Sequence, residues 1–281
     1  MKCWRVSREA PTFRLMFDQV RFAMPRFLFP ALCSVLLMFP WMGSLSAQRP
    51  LGQQALNEAP MLFLNANYAG MVPLGDLADR FGAGFSAGFQ VEWMSWPNNW
   101  ILGIDGQYGF AGKVKENVLD FLQDEDGNIV GRDLAISQAF LQQRLVSGKV
   151  TIGRLFPLFE SNKRSGIRFS LGTGFQMHWI KVNDELRSLA QTEGDYGAGY
   201  DRLTAGWLVS EFLGYQHVSL NRRINFYAGV DVGQAFGRSL RTYDYSTMQQ
   251  DDRTRLDMTL TFRAGWCIPL WTGTGTTDIY Y

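Results

Sequence analysis

The sequence predicts an all-β chain that folds as a closed antiparallel eight-stranded up-and-down transmembrane β-barrel, with short periplasmic turns and longer extracellular loops. Three observations predict it: long stretches in which apolar and polar residues alternate, connections that alternate between short and long, and aromatic rings gathered at two levels.

The alternation is clearest in GIRFSLGTGFQMHW, residues 166–179. Ile167, Phe169, Leu171, Phe175, Met177 and Trp179 share one face, and Arg168, Ser170, Gly172, Gly174, Gln176 and His178 share the other. Thr173 is the only polar residue on the apolar side. Successive side chains of a strand point to opposite faces, so this stretch wants two different surroundings.

Seven other segments follow. Residues 62–72 set Asn65 and Asn67 on the polar face. Residues 81–93 set Phe81, Phe85, Phe89, Val91 and Trp93 against Gly, Ser86, Gln90 and Glu92. In 100–110, Trp100, Leu102, Ile104, Tyr108 and Phe110 oppose Gly103, Asp105, Gln107 and Gly109. Residues 224–232 carry Asp231 on the polar face, and in 256–270 Leu256 to Leu270 oppose Asp257, Thr259, Thr261, Arg263 and Gly265. Residues 140–156 and 206–220 also read as strands, with muddier parity. In the latter, Glu211 and His217 fall on the face of Trp207, Leu213 and Tyr215.

The connections supply the second signal. SWPN (95–98), ESNKRS (160–165) and NRR (221–223) are short and rich in turn formers. Residues 111–138, 181–205 and 238–253 are long and polar, and 73–80 is the shortest connection at their end. Such alternation marks an up-and-down barrel across an outer membrane.

A soluble sandwich also alternates, but its strands run about five or six residues, whereas a tilted membrane strand needs about 9–11. The rings sharpen the choice. Trp93, Trp96, Trp100, Trp266 and Trp271 gather at one level, and Trp179 and Trp207 at the other, as in an interfacial girdle. The polar face would then line a narrow lumen in which Asp105, Gln107, Arg168, Gln176, His178, Asp231, Asp257 and Arg263 form one network. Hydrocarbon offers no hydrogen bonds, so the ring must close. Eight strands leave an interior just wide enough for side chains, which disfavours a porin.

Composition and targeting agree. Of 281 residues 29 are Gly, and the net charge of +1 gives no basic excess for nucleic acid. From Met24, a basic residue, an apolar run and small residues ending at Ala47 have the layout of a secretory signal peptide. The expected organisation is an upstream extension at 1–23, signal peptide at 24–47, periplasmic linker at 48–60, barrel at 61–271 and tail at 272–281. Removing residues 1–47 takes six Lys/Arg and two Asp/Glu, leaving 21 basic and 24 acidic residues, a net charge of −3. Only Cys267 remains, so neither an internal disulfide nor a cysteine metal site is expected.

With SLSAQ at the cleavage region, PLGDLADRFGAGFSAGF in the first hairpin, GYDRLTAGW and RLDMTLTFRAGWCIPLW, the chain resembles outer-membrane barrels of the OmpA/OmpX type. It resembles more closely the "outer membrane protein beta-barrel" proteins of Bacteroidota. The last strand is similar to the signal read by the barrel-insertion machinery through Gly265, Ile268 and Leu270, but Pro269 interrupts it and eleven residues follow. The resemblance implies an integral outer-membrane protein, in contact with outer-membrane lipid and with the insertion machinery during biogenesis. It also implies an accessory role beside an envelope or secretion-system protein, such as type IX secretion.

Some barrels of this size are lipid acylases or acyltransferases, so His178 with Ser170 is the one enzymatic candidate. Eight residues separate them, whereas catalysis needs a hydroxyl within hydrogen-bond reach of the imidazole and a third group orienting it. A network role for His178 is the expectation, with no catalytic residue, metal or cofactor. DEDGN (124–128) reads as an exposed turn, because it lacks the rest of a calcium loop. Tyr196, Tyr200, Tyr243 and Tyr245 are the loop residues expected to meet a partner. Leu171→Arg is expected to be costly and Ser170→Arg milder.

Overall fold

The computed structural model describes residues 59–124, 128–131, 136–137, 139–160, 162–184, 189, 197–219, 224–241 and 243–271. The expected upstream extension and signal peptide, all but two residues of the expected linker, and the tail 272–281 lie outside the described residues.

Eight strands form one antiparallel ring: β1 (Met61–Gly75), β2 (Gly84–Met94), β3 (Trp100–Ala111), β4 (Ala139–Phe159), β5 (Asn162–Asp184), β6 (Thr204–Val218), β7 (Asn225–Ser239) and β8 (Thr254–Trp271). Each pairs with its neighbours in the chain. β8 returns to β1 in a continuous register from Met61 opposite Trp271 to Gly75 opposite Asp257, so the ring has no edge.

The period-two pattern decides which way each residue faces. In β5, Arg168, Ser170, Gly172, Gln176 and His178 point inward and are buried, while Ile167, Phe169, Leu171 and Phe175 stand exposed on the outside. The two muddy strands turn out regular. β4 buries Gln143, Leu145, Ser147, Lys149, Thr151 and Leu155, and β6 buries Leu208, Ser210, Phe212, Gln216 and Val218. Their parity blurs in sequence because apolar residues occupy inward positions, Leu208 and Phe212 at the level of Lys149 and Asp231 and the others near the ends of the lumen.

Leu145, Leu155, Phe212 and Val218 belong to two apolar plugs. At the short-turn end, Met61, Phe63, Met94, Ile101, Leu155, Val218 and Cys267 pack together with Phe212 and Tyr227. At the long-loop end, Met71, Leu145 and Ile180 of the wall meet Leu77, Phe81, Val118, Leu119 and Tyr200 from the connections.

Several expected boundaries move. The helix α1 (Asp76–Arg80) follows β1 where a loop was expected, and it buries Leu77 and Arg80. Gly75 makes the turn at φ +58°, and a Cβ there would sit 2.7 Å from the Leu256 carbonyl oxygen, so a side chain is excluded. Phe81 is not in a strand; it is bridged to Val114 and fully buried in the upper plug, and β2 begins at Gly84. The turn expected at 160–165 is shorter, because Asn162 already pairs with Phe159 and Arg164 is drawn into the short-turn end. The long connection after β3 holds a 3₁₀ turn at Asp120–Leu122 and a ribbon of Ile129–Val130 with Ile136–Ser137.

Candidate functional site: the charged lumen and its rim

Between the plugs the inward positions of four strands bring charges of alternating sign together. Asp105 (β3) meets Arg263 (β8) at 2.6 Å, and Arg263 meets Asp231 (β7) at 3.3 Å. Asp231 meets Lys149 (β4) at 2.7 Å, and Lys149 returns to Asp105 at 3.7 Å. Two acids and two bases thus close a neutral square across the lumen. Gln90 Nε2 and Gln107 Nε2 donate to the Asp105 carboxylate at 2.8 and 2.7 Å, and Lys149 donates to Ser210 Oγ at 2.8 Å.

Towards the short-turn end Arg168 (β5) holds both carboxylate oxygens of Glu92 (β2). Asn65 donates to the same carboxylate at 2.7 Å, and the guanidinium lies over the rings of Phe212 and Tyr227. Each carboxylate is met by a base, Asp105 and Glu92 also by amides and Asp231 by a second base, the condition under which buried charges are tolerated. About 10 Å³ of room remains among the square's side chains and their neighbours, roughly what one water molecule needs.

Towards the long-loop end His178 Nε2 contacts Asp257 Oδ2 at 2.9 Å, and Phe81 stands edge-on above the ring. His178 is 1% exposed. Ser170 lies elsewhere: its hydroxyl accepts from Arg168 Nε at 3.3 Å. Eight residues along a strand amount to about 26 Å. Thr204, opposite His178 in the register, has its hydroxyl engaged with Arg80 and the Arg202 carbonyl. Among the described residues no hydroxyl is bonded to the His178 ring.

All eight expected network residues are therefore buried inside the ring, but seven of them fall into three groups rather than one. Asp105, Gln107, Asp231 and Arg263 join at the square, Arg168 pairs lower down, and His178 pairs with Asp257 above. Gln176 Nε2 has no partner among the described residues. Lys149, whose strand had muddy parity, was missed; reading 143–151 in steps of two would have found it opposite Val146 and Val150. The rings divide as well. Trp93, Trp100, Trp207 and Trp266 stand exposed on the outer surface, and Trp179 is half-buried. Trp96 instead lies beneath Arg164, 5.0 Å from its guanidinium. Nothing is described for the Trp271 side chain.

The rim at the long loops carries a second set of ion pairs. Arg80 of α1 reaches Glu116 at 3.0 Å, Asp251 at 3.4 Å and the Thr204 hydroxyl at 3.0 Å. Arg202 pairs with Glu116 at 2.9 Å and with Asp244, and Arg255 reaches Asp251 at 3.3 Å. Burial pulls Arg80 and Arg202 below the usual arginine value, opposed chiefly by Glu116, yet a guanidinium stays charged. For Asp251 partial burial pushes upward, but hydrogen bonds from Arg253 and the charge of Arg255 outweigh it, and its carboxyl falls below the ordinary 3.8.

Above the rim Phe121 stacks on Tyr200, Tyr200 meets Tyr245, and Tyr245 meets Tyr243. This corrects one expectation: Tyr200 is buried between connections, while Tyr243, Phe121 and Met248 are exposed. Tyr196 lies outside the described residues. Of DEDGN, Asp124 accepts from the Asn128 amide at 2.8 Å, and residues 125–127 are not described.

No family model matches the chain, and no curated protein matches it. Among solved structures, Neisserial surface protein A is 10% identical, with a TM-score of 0.38 over 74% of this chain and 96% of its own. The attachment invasion locus protein of Yersinia pestis, solved with a heparin analogue, is 13% identical, with a TM-score of 0.39 over 75% and 99%. Outer membrane protein W of E. coli is 15% identical, with a TM-score of 0.34 over 75% and 99%. The fold itself rests on the closed ring of strand registers.

Proposed function

We propose that the chain is an integral outer-membrane barrel, with its short turns in the periplasm and its long loops outside the cell, that acts through the surfaces at its two ends. The observation that carries this reading is the lumen. A charge square and a second ion pair fill it between two apolar plugs, while Ile104, Ile152, Leu213, Phe236 and Ile268 face outward, each more than half exposed. A surface of that kind suits acyl chains, and an interior of that kind conducts nothing.

The exposed rim residues Phe121, Tyr243 and Met248 are the natural contact point for a partner in the envelope, in keeping with an accessory role in secretion or envelope assembly. A non-enzymatic role is supported by the packing of His178 against Asp257 and Phe81. The mature chain is expected to need detergent or lipid to fold, and to give no stepwise current in planar bilayers. Native folding in plain buffer would overturn the membrane reading, and steady single-channel currents the sealed lumen. The lipid-enzyme alternative keeps one test. His178→Ala, checked for folding, is expected to leave envelope lipid composition unchanged, and an altered acyl pattern would restore that alternative.

A further inference from the structure

The outer surface is apolar at mid-height on every side but one. On β6 the outward residues run Trp207, Val209, Glu211, Leu213, Tyr215. Glu211 is exposed, four residues from each flanking ring, hence about 13 Å along the strand from both. In a band about 25 Å tall crossed by strands tilted about 40°, that is the midplane.

Its direct neighbours across the ladders are Leu171 on β5 and Val232 on β7. Its diagonal neighbours, one pleat nearer the long loops, are Thr173 and Gln234, which flank Val209 from either side. Thr173 donates to the Leu208 carbonyl at 3.3 Å. Neither Glu211 nor Gln234 has a hydrogen-bond or ion-pair partner among the described residues. On the remaining strands the outward mid-height positions are apolar, glycine or alanine: Ala66, Phe89, Ile104, Gly106, Gly148, Val150, Leu260 and Phe262 are examples.

A carboxyl group and a carboxamide set into hydrocarbon without partners are costly, and ionisable residues at that depth mark contacts. We propose that this face of β5, β6 and β7 is the contact surface between two copies of the chain in the membrane. The inference rests on the outer-membrane reading above. Two copies inserted the same way are related by a two-fold axis along the membrane normal, so each residue meets residues near its own depth. The patch is complementary to itself: the Glu211 carboxyl accepts, and the Gln234 amide of the other copy donates, twice per interface. Leu171, Val209, Val232 and Leu213 surround the pair with flat aliphatic surface. A single such face closes a dimer, since a ring or an open array needs two different faces.

The test uses the mature chain in lipid vesicles, labelled for energy transfer between copies and diluted with lipid. A gel-mobility shift on heating reads folding separately. The wild type is expected to associate, and Glu211→Leu and Gln234→Leu each to weaken association about tenfold, consistent with modest intramembrane hydrogen bonds. Glu211→Gln, which still bonds, should stay within about threefold. Glu211→Leu suits its apolar surroundings, so it is expected to fold. Folded, inserted protein that stays monomeric at every dilution, or leucine variants that associate like the wild type, would overturn the dimer and leave the membrane reading intact. A photoactivatable phenylalanine at Val209 in native membranes should give an adduct of twice the chain's mass, and the same probe at Ile104 none. An adduct at Val209 with a different protein only would also overturn the proposal.

Discussion

The lumen and the long-loop rim use the same chemistry for different ends. In the lumen, Asp105, Lys149, Asp231 and Arg263 come from four strands of a rigid wall, and each is nearly inaccessible. At the rim, Arg80, Arg202 and Arg255 with Glu116, Asp244 and Asp251 come from a short helix, connections and one strand end, and exposure grades from 4% at Arg80 through 28% at Glu116 to 79% at the neighbouring Arg253. Removing one member of a buried group strands an uncompensated charge, whereas water replaces a lost partner at an exposed one. The contrast teaches that a count of ion pairs says little until their surroundings are known.

The largest break in that comparison is expected from Asp105→Ala. It leaves both Lys149 and Arg263 short of a partner and should cost about 3–5 kcal/mol, read from denaturant unfolding in lipid vesicles. Ile104→Arg follows, with a charge on the lipid side at mid-height between Val91 and Val150 and an expected loss of about 2–4 kcal/mol. At Leu171 the same charge would meet Glu211 directly across the ladder, so Leu171→Arg is expected to cost less than that. Its intended mild control does not survive the structure: Ser170 is buried against Arg168 Nε, so Ser170→Arg adds a second guanidinium where there is neither room nor a counter-ion. Arg238, outward and exposed at the end of β7, supplies the tolerant comparison through Arg238→Leu.

Gly75→Ala comes next, at about 1–3 kcal/mol, because it forces a side chain into a glycine-only backbone conformation against Leu256. It should loosen α1 without disturbing the square, and amide exchange at Leu77 and Phe81 would show it. Acid sharpens the contrast. The Asp251 carboxyl lies below its ordinary value of 3.8 when folded, so its contribution is complete above that value and is lost as pH falls through the lowered one. Relative to the intrinsic exchange rate at each pH, protection of the amides across 244–254 should be flat from pH 8 to about 5 and fall only in stronger acid; a loss of protection near neutrality would refute the assignment. Smallest of all, Arg253→Ala should cost under about 1 kcal/mol and vanish in high salt.

Much of the barrel was legible because a strand between two solvents must alternate, and 166–179 and 256–270 do so almost without fault. Glu211 was legible as a misfit on the apolar face of its strand. The grouping of charges was not, since which of Asp105, Arg168 or Asp231 meets which base depends on the offset of strands around the ring. The short helix at 76–80 was hidden because five residues hold little more than one turn of any period. Phe212 and Leu208 blurred the sixth strand because they are apolar yet face inward at the level of Asp231 and Lys149, which contradicts the simple rule of a polar inside.

The square also constrains how the molecule is made. Asp105 and Arg263 stand 158 positions apart in the chain, and Lys149 and Asp231 stand 82 apart. Neither of these attachments exists while the sheet is an open ribbon: Asp105 then keeps only Lys149 of the next strand and Asp231 only Arg263, while Glu92 and Arg168, on strands that are not neighbours, lose each other. Such a ribbon is poorly suited to oil and well suited to a watery cradle. Joining the first hairpin to the last therefore completes the square across the centre in the same act that removes the exposed edges. A lone ribbon has little reason to linger in the bilayer, and the finished cylinder has little reason to reopen.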